Sequence, residues 1–285
     1  MRLPNTAIKR PVTEPITVED VKFKLNGATV FSVLDMNEGY HQIELDENSR
    51  FITTFHGTEN KLRYTRLNFG TISAQDIFDK AMDDTLCDFI LYGKADAQHD
   101  AETNHDIALE NLFKRFRDSG LTFSLAKSKF KLPEVEFFGL VFSSKGVKPA
   151  ASKIEALRTM DAPKNISDVR SFLGMAQYSA QFIPHFAEIS TPLRALTHKN
   201  AKWKWTHEED NAFQTLKNAL SSESVLDFYE VGQNTKLITD AGPNGLGCML
   251  LQEKPEGWKA VTCYSHSLTK VLPNRKGSPC YTMGL

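Results

Sequence analysis

The feature that most constrains this chain is the run Thr29-Val30-Phe31-Ser32-Val33-Leu34-Asp35, a β-branched and aromatic stretch that ends in a carboxylate and continues into Met36-Asn37-Glu38-Gly39-Tyr40. Such a run predicts a buried strand that delivers an acidic side chain to its end. Taken alone, an Asp at a strand end entering a turn is an ordinary turn former. The neighbouring sequence sets the fold class. Tyr40 to Leu45 alternates with period 2 and predicts another strand, and Ile52-Thr53-Thr54-Phe55 with Leu62-Arg63-Tyr64 predicts a strand pair around His56-Gly57-Thr58. Helices are predicted over Val18 to Leu25, Ser73 to Met82 and Asp100 to Ser119. The last of these places Ile107, Leu109, Leu112, Phe113 and Phe116 near one face, with Gly120 as its stop. Phe137 to Phe142 predicts one further strand before the turn Ser143-Ser144-Lys145-Gly146.

The pattern then becomes helical from about Pro149 to Tyr229. Ser167 is a candidate cap for a helix carrying Val169, Phe172, Leu173 and Ala176, and Thr206-x-x-Glu209 is a capping box opening a helix with Phe213, Leu216 and Leu220. Strand signals return at Lys236 to Asp240 and Leu246 to Leu251, joined by Ala241-Gly242-Pro243-Asn244-Gly245. A length of 285 residues suggests about two domains, and the mixture of sheets and helices is α+β.

Charge and cysteine usage narrow the function classes. The net charge is -1, but Lys127 to Lys204 holds 13 Lys and Arg against 6 Asp and Glu, so the remainder is acidic. A phosphate backbone would be drawn to that middle segment, and a solvated Lys-rich surface explains it equally well. No apolar run approaches the roughly 20 residues that span a bilayer, and the first residues lack the apolar stretch of a secretory signal. These features predict an intracellular protein of cytoplasm or nucleus, with no membrane partner. Cys87, Cys248, Cys263 and Cys280 show no metal-ligand spacing and are expected as free thiols. His99 and His105, beside Asp100 and Asp106, are six apart, which does not set two ligands on one helical face, so a solvated helix is the favoured reading. Asn165-Ile166-Ser167 matches a glycosylation acceptor that an intracellular chain would not present to that machinery. Trp203-Lys204-Trp205 beside the capping box reads as a packing staple ahead of a base-stacking platform.

Several of these stretches, in this order, resemble the reverse transcriptases of gypsy-type long-terminal-repeat retrotransposon Pol polyproteins. Val33 to Tyr40 with His41-Gln42-Ile43 is similar to the first catalytic motif of that family. The resemblance implies a metal-binding role for Asp35 and, for Tyr40, an aromatic gate filling the space of a ribose 2′-hydroxyl. Tyr64 to Ala74 resembles the second motif, in which Phe69 and Gly70 approach template and incoming nucleotide; Gln75 stands where the family usually has proline. Gly120-Leu121-Thr122 with Lys127-Ser128-Lys129-Phe130 resembles a later palm motif in which Lys127 protonates the pyrophosphate leaving group, although a surface lysine accounts for it equally. Glu136 to Val141 resembles the strand pair that grips the primer terminus, and Ser167 to Gly174 with Tyr178 to Phe186 the helical linker after the palm. Ile238-Thr239-Asp240-Ala241 with Gly245-Leu246-Gly247 resembles the opening hairpin of a retroelement ribonuclease H, with Asp240 as its first metal-binding carboxylate.

The resemblance therefore implies fingers and palm over 1–148, a helical thumb or connection over 149–231, and an incomplete ribonuclease H-like α/β domain over 232–285. It also implies RNA-directed DNA polymerase and ribonuclease H activities, Mg²⁺ as cofactor, and an RNA template, a DNA primer or RNA–DNA hybrid, and dNTPs as partners. Hard cations want carboxylate oxygens, and two such ions clamp the attacking and leaving oxygens of an in-line phosphoryl transfer.

Three departures predict a catalytically impaired copy. The family's Tyr-x-Asp-Asp hairpin is absent: only Cys87, Asp88 and Phe89 stand between Thr85-Leu86 and Ile90-Leu91-Tyr92-Gly93-Lys94. Asp88 fits the second aspartate, and so a further metal ligand, while Cys87 takes the place of the first. Pro273 to Leu285 replaces the run that would carry the second ribonuclease H carboxylate, and a shift of the coding frame by one nucleotide can spell that run, which points to a frameshift before Pro273. Met1-Arg2-Leu3-Pro4-Asn5 resembles the middle of the fingers. Beside an active enzyme, a non-catalytic nucleic-acid-binding module and a decayed retroelement reading frame stay open.

Overall fold

The computed structural model describes residues 5–6, 8–9, 17–86, 91–199, 201–221, 225–242 and 245–267. The chain divides into two compact units, Met1–Val147 and Lys148–Leu285, and mixes helix with sheet in both. The expectations for Cys87, Asp88 and the Pro273 to Leu285 run fall outside the described residues.

The first unit opens with α1 (Val18–Leu25), capped by Thr17, whose Oγ1 accepts from the Asp20 amide while the Asp20 carboxylate accepts from the Thr17 amide. This reciprocal box satisfies two orphan amides and starts the helix that buries Val21 and Leu25. β1 (Ala28–Val33) follows and buries Ala28, Phe31 and Ser32. A small hairpin comes next, β2 (Phe55–His56) with β3 (Lys61–Leu62), and then α2 (Ala74–Leu86). β4 (Leu91–Lys94) and, after α3 (Ala101–Ser119), β5 (Lys129–Leu132) flank β1 antiparallel, in the order β4-β1-β5. α3 starts at Asp100, whose side chain accepts from the Thr103 amide, and stops at Gly120 with φ 66°. It lies so close to β4 that a Cβ on Gly93 would meet the Ala101 carbonyl oxygen at 2.0 Å. β6 (Glu134–Phe137), β7 (Leu140–Ser143) and β8 (Gly146–Pro149) make a separate three-stranded sheet, and the chain passes into the second unit within β8.

A buried polar knot fixes the sheet to its helix. His105, fully buried, shares a 2.8 Å hydrogen bond between its Nε2 and Ser32 Oγ, and Ser32 Oγ also accepts from the Lys131 amide. Lys131 takes a left-handed backbone, φ 51°, and its ammonium bridges Glu102 and Asp106 on α3. β1, α3 and β5 are thus tied through one imidazole. The solvated-helix reading of His105 is corrected by this burial: the spacing argument judged histidine pairs and had no access to the β1 hydroxyl 73 positions away.

In the second unit α4 (Ala151–Arg158), α5 (Ile166–Tyr178), the one-turn α6 (Phe186–Ile189), α7 (Thr191–Leu196) and α8 (His207–Ser221) enclose a core of Leu157, Phe172, Ile183, Phe186, Leu193, Phe213 and Leu216. Phe172 and Phe213 meet at 4.7 Å between ring centroids. Trp205 packs edge-on to Phe213 at 6.1 Å, and Trp203, 38% exposed, stacks on Trp205. Glu209 accepts from the Thr206 amide, the capping box read from the sequence. β9 (Thr235–Gly242), β10 (Gly245–Lys254) and β11 (Gly257–Ser267) form an antiparallel sheet in the order β11-β10-β9.

Several sequence expectations are corrected. Tyr40 to Leu45 is not a strand: Gly39–Gln42 is a 3₁₀ turn entered through left-handed Glu38, because the Gln42 amide is held by the Thr122 backbone on both its oxygen and its nitrogen. In the Ile52 to Tyr64 region only β2 and β3 pair, since Phe51–Thr53 coils into a 3₁₀ turn and Thr53 Oγ1 takes the Tyr64 amide. Phe137 to Phe142 is a hairpin, not one strand, with Phe138 at φ 50° and Gly139 at φ 67° as its reversal. Asn165, not Ser167, caps α5, its side chain accepting from the Asp168 amide. The described helix runs to Ser221, and residues 225–230 lie along the sheet and not in a helix, with the Asp227 amide on the Ala260 carbonyl and the Glu230 amide on Gln252. β11 was not anticipated, although Val261 and Cys263 are its inward pair.

Candidate functional site

β1 ends two residues before Asp35, and a single loop then fixes that residue from behind. Ser124 donates its amide to the Asp35 carbonyl at 2.7 Å, and the Asp35 amide donates to Ser128 Oγ at 3.2 Å. Asn37 donates to the Thr122 carbonyl at 3.2 Å. With its backbone satisfied, the Asp35 carboxylate is left to face an open cleft. The same loop carries Lys127, whose Nζ stands 3.8 Å from Asp35 Oδ1. The lysine side chain is 71% exposed and the carboxylate 47%, so the pair is a weak surface ion pair that a charged ligand can displace.

The cleft has a volume of about 490 Å³ and is lined by Asp35, Met36, Gly39, Tyr40, Phe69, Gln75, Phe78, Met82 and Lys127 over a floor of Leu91, Leu112 and Phe116. That volume and its apolar walls with a few convergent polar groups suit a small-molecule ligand. Tyr40 stands edge-on to Phe69 at 4.7 Å and tilts onto Phe78 at 5.0 Å. Its hydroxyl donates to Gln75 Oε1, and Gln75 Nε2 donates to Asp79 Oδ1 at 2.7 Å. Burial pushes the Tyr40 phenol above its usual range and the Asp79 charge adds to the rise, so the O–H remains a donor at neutral pH. Phe69 is 62% exposed at the mouth. Gly70 follows with φ 88°, a backbone that favours glycine, and Asn5 clamps this turn by donating to the Gly70 carbonyl and accepting from the Ile72 amide.

Four residues singled out from the sequence, Asp35, Tyr40, Phe69 and Lys127, therefore meet in one cleft, with Gly70 on the adjoining turn. Asp88 lies outside the described residues. Asp35 offers a hard carboxylate oxygen at the cleft wall, which fits a Mg²⁺ ion that keeps several waters and takes its other ligands from phosphates. The supporting contacts of Gln75, Phe78, Asp79, Ser124 and Ser128 carried no such signal; Gln75 stood out only as a departure from the family's usual proline.

Asp240 sits in the second unit. It lines a small recess with His185, Glu188, Gly242, Gly245, Gly247 and Ser265, and its Oδ2 is 3.6 Å from His185 Nδ1. His185 has a left-handed backbone, φ 57°, and precedes α6, where the Ala187 amide donates to Ser265 Oγ at 2.9 Å. This histidine went unnoticed in the sequence, where Pro184-His185-Phe186 offers no metal or catalytic spacing. Asp240 again offers one hard oxygen donor.

Residues 4–142 match the family described as reverse transcriptase (RNA-dependent DNA polymerase), and residues 205–276 match the RNase H-like domain found in reverse transcriptase. The chain is 32% identical over 268 residues to the retrovirus-related Pol polyprotein from transposon gypsy of Drosophila melanogaster, a match covering 88% of this chain and 26% of the relative. It is 29% identical to the Pol polyprotein from transposon 412 of the same fly, over 90% of this chain and 21% of that one. The Tf2-3 transposon polyprotein of Schizosaccharomyces pombe is 26% identical, over 90% and 20%. The chain thus spans about a quarter or less of the length of these curated relatives. Among solved structures, the foamy viral protease-reverse transcriptase dRH in complex with double-stranded DNA aligns with a TM-score of 0.82 at 22% identity, over 94% of this chain and 48% of that one. The foamy viral protease-reverse transcriptase in complex with RNA/DNA hybrid aligns with a TM-score of 0.79 at 21% identity, over 94% and 37%. At these identities the likeness is one of fold. Among the described residues, no helix is long and apolar enough to cross a membrane.

Proposed function

Because the chain belongs to the reverse transcriptase family of gypsy-type retrotransposon Pol polyproteins, we infer that its first unit holds the incoming nucleotide of an RNA-directed DNA polymerase, in a copy whose polymerisation is impaired. One observation carries the reading: Asp35, Lys127, Tyr40 and Phe69 line a single cleft of nucleotide size. Asp35 would hold Mg²⁺, which when bound neutralises phosphate charge and orients the reacting oxygens. Lys127, on the same loop as the Asp35 anchor, would bind the terminal phosphates and place a proton donor at the leaving pyrophosphate. Tyr40 would stand against the sugar and Phe69 at the mouth against the base. The partners are then a dNTP and a primer–template duplex of RNA and DNA.

The reading of impairment rests on the sequence between Leu86 and Leu91. The antiparallel ladder pairs Phe31 with Tyr92 and Ser32 with Leu91. By its place in the sequence, between the helix ending at Leu86 and the strand starting at Leu91, Asp88 is proposed as the second carboxylate. The Tyr-x-Asp that would bring a third carboxylate is missing, with Cys87 in its place. Asp240, in the second unit, is proposed as the first carboxylate of a ribonuclease H-like site.

Photolabelling tests the cleft. An azido-dATP probe with Mg²⁺ is expected to label peptides carrying Tyr40 or Phe69, with competition by unlabelled dTTP. Labelling confined to peptides of the second unit would overturn the assignment.

A further inference from the structure

We propose that Gln75 sets sugar specificity: by holding the Tyr40 hydroxyl it fixes the ring as a rigid wall, and so excludes ribonucleotides from the cleft. This rests on the nucleotide-site reading above and adds a residue to it.

The ring contacts of Tyr40 with Phe69 and Phe78 are edge-on and tilted, and one of these partners is mostly exposed. Such contacts set how the rings meet but make no bond to the phenol oxygen at the tip. The tip is held instead by the hydrogen bond to Gln75 Oε1. The orientation of the Gln75 amide is in turn set without ambiguity, because Asp79 can only accept and takes the Nε2 proton at 2.7 Å. Gln75 and Asp79 are four apart on α2, the spacing that makes helix side chains neighbours. The root of the ring is equally constrained: a Cβ on Gly39 would lie 2.9 Å from the Phe78 ring, so the chain just before Tyr40 is pressed onto the same helix. Tyr40 is therefore anchored on α2 at both ends. A proline at position 75, as the family usually has, offers no side-chain acceptor, so here the hydrogen bond is a property of this chain's own residues.

The test is a set of titrations of the whole chain with dTTP and with UTP, each with Mg²⁺. Wild type is expected to prefer dTTP. Gln75→Ala should reduce that preference on the order of fivefold, the worth of one hydrogen bond, by tightening UTP relative to dTTP. Tyr40→Ala should abolish the preference. In a Tyr40→Phe background, Gln75→Ala should have no further effect, a coupling that a general loss of α2 stability would not give. An unchanged dTTP to UTP ratio in Gln75→Ala, with the preference lost in Tyr40→Ala, overturns the proposal and leaves the nucleotide site standing. A fluorotyrosine label at position 40 reads the anchor without nucleotide, its ¹⁹F resonance expected to shift and narrow in Gln75→Ala. An unshifted resonance overturns the anchor itself. A shifted resonance in a chain that binds neither nucleotide overturns the nucleotide-site reading and the specificity role together.

Discussion

Primer extension by the chain as it stands is expected to run about a thousandfold or more below that of a variant in which a short apolar strand follows Leu86 and Tyr-x-Asp replaces Cys87 ahead of Asp88. Each tenfold is about 1.4 kcal/mol of barrier, and a missing carboxylate in a two-metal clamp removes several kcal/mol of charge stabilisation. The β4 register with β1 makes the repair plausible in space, since Leu91 already faces Ser32 on the strand that ends near Asp35. Cys87→Asp alone should recover little, because it restores one carboxylate without the other residues of the hairpin that the sequence lacks. Gel-resolved extension of a DNA primer on an RNA template with Mg²⁺ measures both variants. Equal extension by the native chain and the repaired one would contradict the impairment.

Phe172→Ala is expected to cost the second unit about 3 to 5 kcal/mol, the usual loss for truncating a buried aromatic. Phe172 is fully buried at the centre of the helical core and leans on Phe213 at 4.7 Å. A loss of that size is a large part of the roughly 5 to 15 kcal/mol that holds a domain folded. The readout is unusually clean, because the three tryptophans, Trp203, Trp205 and Trp258, all lie in the second unit. Tryptophan fluorescence in a urea titration therefore follows this unit, and an unmoved midpoint would show that the helices do not depend on this ring.

What was legible in the sequence was local. Asp100 with Gly120, and Thr206 with Glu209, are signals that act within one helix turn, and the helices start or stop where they stand. The carboxylate of Asp35 at its strand end was likewise readable from backbone propensity, and the Gly70 turn from the family resemblance. The errors came where tertiary partners override local pattern. Tyr40 to Leu45 alternates like a strand, yet Gln42 is captured by Thr122 from 80 positions away and coils the segment. Phe138-Gly139 carries a turn through two left-handed residues that an apolar run conceals. His105 looked like a surface histidine on a polar helix, and only the placement of Ser32 behind it makes it a core residue. For the site, the family resemblance pointed to Asp35, Tyr40, Phe69 and Lys127, whereas the contacts that Gln75, Asp79, Ser124 and Ser128 make around them became visible only through the fold.

The most direct measurement of the central claim, that the first unit keeps a metal-dependent nucleotide cleft centred on Asp35, is calorimetric titration of the whole chain with dTTP in Mg²⁺ and in EDTA. The account predicts saturable binding in Mg²⁺ that weakens about tenfold or more when the metal is chelated, with Asp35→Asn reproducing that loss in the presence of Mg²⁺. Binding of equal strength with and without the metal, unchanged by Asp35→Asn, would contradict it.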